Sequence, residues 1–72
     1  MKFNQELFSK QLQLLISESG KSQAAVARES GVPPTALNYY ILCKRKPNIY
    51  DLFALADYFN CSLDYLTGRS DY

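Results

Sequence analysis

QAAVARESGVPPTALNYYIL, residues 23–42, has the layout of two short helices joined by a tight turn. Val26 and Ala27 fall in the first half, Gly31 stands at the break, and Leu37 and Tyr40 lie three apart on one face of the second half. Helices that cross closely need a small residue at the crossing, and a tight turn needs a residue that accepts positive φ. Ala27 and Gly31 meet those needs, while Val26 and Leu37 offer apolar inner faces that lock the crossing angle. Pro33-Pro34 opens the second helix, where proline is tolerated because the first amide has no intrahelical partner.

The rest of the chain supports this pair. Seventy-two residues make one small domain, and 47% apolar residues suffice for the core of a helical bundle. Its net stability is the small remainder of large opposing contributions. There is no histidine, and Cys43 and Cys61 stand 18 apart without a CxxC, so no zinc site is expected. The two cysteines read as free, partly buried thiols, and a disulfide between them would be unusual in a cytosolic compartment. No apolar run approaches the ~20 residues of a membrane span. The opening MKFNQELFSK lacks the apolar stretch of a signal peptide. A cytoplasmic protein without cofactor or metal is expected. With no nucleophile–base spacing, and carboxylates placed where helix starts explain them, the chain does not read as an enzyme.

Charge is uneven along the chain. Residues 1–19 are net neutral and residues 49–72 carry −3, whereas residues 20–48 carry +4 from Lys21, Arg28, Lys44, Arg45 and Lys46 against Glu29. The basic part coincides with the two-helix unit and its exit loop. A basic face on a nearly neutral protein is what phosphate contact requires. Together with the turn, it points to a module that offers its second helix to the major groove of DNA.

Taken in order, Asn4 caps a first helix running to about Ser19, with Glu6 in its first turn and Gly20 ending it. Phe8, Leu12, Leu15 and Ile16 share one face, and Phe3, Leu7 and Leu14 form a weaker stripe suited to packing under the last helix or to a partner. Ser22 caps a second helix over residues 23–30, and Val32 plugs the space beside the turn. The third helix runs from Pro34 to about Leu42, with Leu37, Tyr40 and Ile41 inward and Thr35, Ala36, Asn38 and Tyr39 outward or flanking. Pro47 ends the loop, and Asn48 with Asp51 resembles a capping box. A fourth helix, residues 49–59, buries Leu52, Phe53, Leu55, Ala56 and Phe59. Ser62 caps a short last helix that buries Leu63 and Leu66 and ends at Thr67-Gly68. Residues 1–68 are expected to form the domain, with residues 69–72 as a flexible tail. No strand pattern or repeat is present.

From Ser22 to Gly68 the chain resembles the five-helix phage repressor and Cro family of XRE-type helix-turn-helix proteins. SQAAVA, GV, ALNYY, KRKPN and LFALADYFNCSLDYLTG carry the likeness at the right distances. The resemblance implies an all-α, compact, lambda-repressor-like DNA-binding domain with its helix-turn-helix at the second and third helices. It implies a sequence-specific regulator of transcription, a repressor or Cro-like protein of phage or mobile-element type. Such a protein acts as a homodimer on a near-palindromic double-stranded operator. By position, Pro34, Thr35, Asn38 and Tyr39 would meet base edges, and Gln23, Lys44, Arg45 and Lys46 would meet phosphates. A second reading stays open, in which the same fold serves as a protein-interaction module, an antitoxin or an adaptor bound by an antirepressor.

The departures from the family pattern carry their own expectations. Many members pair an arginine late in the first helix with a glutamate at the end of the third, and here those positions are Ile16 and Ile41. Removing one partner of a buried ion pair costs about 3–5 kcal/mol, whereas replacing both is often neutral; Ile16 and Ile41 are expected to touch. Glycine is common where Cys43 stands, so Cys43 either adopts the left-handed conformation or the helix ends differently. Lys21 occupies an often apolar position and is expected to pack its stem while its amine reaches solvent.

Overall fold

The computed structural model describes residues 3–69. Its helices are α1 (Gln5–Ser19), α2 (Gln23–Ser30), α3 (Pro34–Ile41), α4 (Ile49–Phe59) and α5 (Leu63–Thr67). No strand occurs among the described residues. Side chains start four of these helices: Asn4, Ser22, Asn48 and Ser62 each accept a hydrogen bond from a backbone N–H three residues on, at 2.7–3.1 Å. Only α3 begins without a side-chain cap, at Pro33. Gly20, Gly31, Asn60 and Gly68 end α1, α2, α4 and α5 in the left-handed conformation.

The core is one cluster drawn from all five helices: Phe8 and Leu12, Val26 and Ala27, Ala36, Leu37 and Tyr40, Leu55 and Ala56, and Leu66, with Val32 filling in beside the turn. Helix α1 packs against α3 and α5, while α4 packs against α2 and α5, so the α2–α3 pair is backed from both sides. Leu15, Ile16, Leu52, Phe59 and Leu63 are half-buried at its edge.

Two inward–outward expectations are corrected. Ala36, expected on the outer face, is buried, because it meets the core through the same face as Leu37 and Tyr40. Phe53, expected in the core, is 52% exposed; it lies two residues before Leu55, nearly opposite on a helix of 3.6 residues per turn. Asp51, read from the sequence as half of a capping box with Asn48, is buried, at 9% exposed. The Phe3, Leu7 and Leu14 stripe is about half exposed, though Leu7 lies under the end of α5: a Cβ added at Gly68 would stand 2.9 Å from the Leu7 Cβ.

Ile16 and Ile41 are both half-buried and pack against the core. The polar joint between α1 and α3 survives in neutral form. Ser9 Oγ donates to the Ile41 carbonyl at 2.7 Å, and Gln13 Nε2 donates to the same oxygen at 3.0 Å. Ser9 is buried, and this bond satisfies it. Cys43 and Cys61 are free and half-buried, and burial pushes the Cys61 thiol above its ordinary pKa.

Candidate nucleic-acid interface

Helix α3 turns Leu37 and Tyr40 inward, and helical spacing then leaves Pro34, Thr35 and Asn38 on the outside. Those three are exposed, and Tyr39 is half-buried at the edge of the same face. Gln23, the first residue of α2, is half-buried and reaches across the turn. Its Nε2 donates to Asn38 Oδ1 at 3.2 Å, which joins an expected phosphate contact to an expected base contact. The bond uses one lone pair of the Asn38 carbonyl and leaves its amide N–H groups free. The first turn of α2 contains no acidic residue, so its positive end is not neutralised locally.

The exit loop is shaped by its backbone. Cys43 takes φ +60°, the left-handed region, so the first of the two alternatives holds. Its N–H donates to the Tyr40 carbonyl at 3.2 Å, and the Lys44 N–H donates to the Tyr39 carbonyl at 2.8 Å. These two bonds form a Schellman motif with cysteine where glycine is usual. The motif turns the chain so that the Arg45 guanidinium lies over the Tyr39 ring, 5.0 Å from its centroid. Lys44, Arg45 and Lys46 are all exposed, and neither ion pair found among the described residues involves them. Their charge is available to an external anion.

The other cations of the basic stretch are differently placed. Lys21 Nζ meets Glu29 Oε1 at 2.5 Å, and the Tyr58 hydroxyl donates to the same oxygen at 2.6 Å. The Lys21 hydrogen bond leads in holding the Glu29 carboxyl below its usual range, with the Tyr58 bond second; the same contact with Glu29 raises the Lys21 amine. Lys21 therefore reaches solvent as expected, but with its charge matched.

Behind the loop, Tyr40 is fully buried, with its ring edge-on to Phe8 at 6.0 Å. Its hydroxyl donates to Asp51 Oδ2 at 2.5 Å, while Asn48 Oδ1 accepts from the Asp51 N–H at 2.7 Å. The capping box is thus altered: the Asn48 half is present, and the Asp51 carboxylate accepts from Tyr40. Burial first, and then the Asp51 hydrogen bond and charge, push the Tyr40 hydroxyl up to about 12.

Every expected site residue therefore lies on α3, at the start of α2 or in the exit loop. The structure brings Gln23 to Asn38 and Arg45 to Tyr39. Sequence reasoning placed Tyr40 and Asp51 but missed the hydrogen bond between them. An aspartate three residues after an asparagine cap reads as a capping residue, and no periodicity announces a hydroxyl arriving from the preceding helix. Among the described residues there is no group of side chains suited to a metal ion and no helix long and apolar enough to cross a membrane.

A five-helix fold with an exposed face on α3, a helix N-terminus beside it and three cations without ion-pair partners on the exit loop is the arrangement of a helix-turn-helix domain. Residues 12–66 match the family described as Helix-turn-helix, and the chain belongs to that family, in its XRE, Cro/C1-type branch. It is a DNA-binding transcription regulator in the general sense of that family. Comparison with curated proteins and with solved structures gave no match.

Proposed function

We propose that this protein is a sequence-specific repressor or Cro-like regulator that binds a near-palindromic operator as a homodimer, α3 of each copy lying in a major groove. The observation that carries this reading is the face of exposed Pro34, Thr35 and Asn38 with half-buried Tyr39 at its edge, joined to Gln23 through Asn38 and to the basic loop through Arg45 over Tyr39. Gln23 and the three loop cations contact phosphates. Asn38, held by Gln23, reads adenine through its amide; Pro34 and Thr35 give apolar contacts to thymine methyls, and Tyr39 donates at the edge. With few strong base donors, part of the specificity comes from DNA shape.

Homodimerisation uses the start of α4. Ile49, Tyr50 and Phe53 are 51%, 80% and 52% exposed beside the basic loop, whereas Tyr58 is half-buried with its hydroxyl engaged by Glu29. A homodimer on a near-palindrome sets its two α3 helices on successive turns of one DNA face.

The experiment is to select bound sites from a random DNA pool and then measure affinity for the recovered site against salt. A symmetric site and a steep salt dependence are expected. Lys44→Ala with Arg45→Ala should weaken binding on all sequences and reduce the slope of log K against log salt by about 2. No binding at low salt would sink the reading and favour a protein-interaction role for the fold.

A further inference from the structure

We propose that the Tyr40 hydroxyl is a positioning group for the DNA-contacting loop: it ties the start of α4 to the end of α3 and so sets where Lys44, Arg45 and Lys46 stand relative to the reading face. The inference rests on the DNA-binding function proposed above and names a residue that touches no DNA in it.

The loop leaves α3 and enters α4 within a few residues, and both ends are held. At its start, the Cys43 and Lys44 N–H groups donate to the Tyr40 and Tyr39 carbonyls. At its close, Asn48 Oδ1 accepts from the Asp51 N–H. The Tyr40 hydroxyl joins the two ends through Asp51 Oδ2. Lys44, Arg45 and Lys46 all lie within the ring that these contacts close.

Packing does not require this hydroxyl. The Tyr40 ring is fully buried against Phe8, and phenylalanine would fill the same volume. Burying the Asp51 carboxylate beside it is unfavourable unless it is hydrogen-bonded, and an apolar pair would avoid that cost. What the polar pair adds is direction. An apolar contact tolerates sliding, whereas a short hydrogen bond to a carboxylate fixes one helix end against the other. The ring is seated in the core and the hydroxyl meets Asp51 in the first turn of α4, so the link carries core order to the end of a loop whose exposed cations have no ion-pair partner of their own.

The test compares the full chain with Tyr40→Phe and Asp51→Asn in three measurements: thermal melting, DNA affinity across a salt series, and amide exchange at Cys43 and Lys44 relative to α1. Folded Tyr40→Phe is expected to bind the selected site about tenfold more weakly, with a salt slope shallower by about one phosphate contact. Loop amides should exchange faster while those of α1 change less. Should Tyr40→Phe fail to fold, Asp51→Asn, which keeps an acceptor but loses the charge, is read on the same three measurements. A folded variant with lower melting temperature but unchanged affinity and slope would overturn the proposal, leaving Tyr40 a purely structural residue. If the natural chain binds no DNA at low salt, the functional reading fails separately, and the exchange measurement still decides. Acceleration confined to the loop then supports the tie, and equal acceleration in loop and α1 overturns it.

Discussion

Raising the pH should loosen this fold through one hydroxyl. Tyr40 is held neutral by burial, then by its hydrogen bond to Asp51 and the Asp51 charge, and its pKa rises from the ordinary 10.0 to about 12. In the unfolded chain the proton leaves at the ordinary value. The folded state therefore keeps a proton that the unfolded state has lost, and the contribution of Tyr40 is complete below pH 10 and declines as pH climbs through 12. Two pH units at about 1.36 kcal/mol each make the loss about 2.7 kcal/mol. Urea unfolding measured at intervals from roughly pH 8 to 12 reads it directly. The Lys21 amine and the Tyr58 hydroxyl are also raised, chiefly by their hydrogen bonds to Glu29, and lose stabilisation in the same direction over that range. Tyr40→Phe removes the Tyr40 part alone. The stability difference between the two proteins should hold steady below pH 10 and shrink by about 2–3 kcal/mol by pH 12. A difference that stays constant across that range would mean that folding does not raise the Tyr40 pKa, and would refute the reasoning.

Gly68→Ala should destabilise by about 2–4 kcal/mol, because left-handed strain is joined by a Cβ 2.9 Å from that of Leu7. Gly20→Ala, with nothing within 4 Å, should cost only about 1 kcal/mol, and thermal melts of the two variants compare strain with and without the clash. Cys43→Gly relieves a residue at φ +60° and should raise stability by about 0.5–1 kcal/mol after the extra freedom of glycine in the unfolded chain is counted; a lower melting temperature would show that the half-buried thiol matters more. A double-mutant cycle of Gln23→Ala and Asn38→Ala in DNA binding should give a coupling of about 0.5–1 kcal/mol, since each side chain orients the other. Strict additivity would mean that their hydrogen bond does not persist on DNA.

The helices were legible because their signals are local. Asparagine or serine before an apolar period, and glycine or asparagine after it, mark both ends of every helix but α3, which two prolines open and Cys43 closes. The turn was legible because Gly31 stands between two apolar faces. What could not be read was which side of an ambiguous position would be covered. Ala36 and Phe53 both fit a helical period, and their fates depend on the direction from which their neighbours approach, α1 and α2 onto α3, α2 and α5 onto α4. The site was visible as a set of residues, because exposed positions on a reading helix and a run of cations are local features. Its internal bonds were not. Gln23 with Asn38, Arg45 with Tyr39, and Tyr40 with Asp51 each join different elements, and their geometry exists only once the helices are packed.

The joint between α1 and α3 has a consequence for how this domain tolerates change. Ser9 and Gln13 grip a backbone oxygen, and every amino acid supplies one. Position 41 can therefore drift among side chains of similar bulk without breaking the link, whereas position 9 has little latitude. An ion pair ties two side chains to each other's identity; this arrangement ties only one partner. It also leaves this α1–α3 joint without an ion pair for salt to screen.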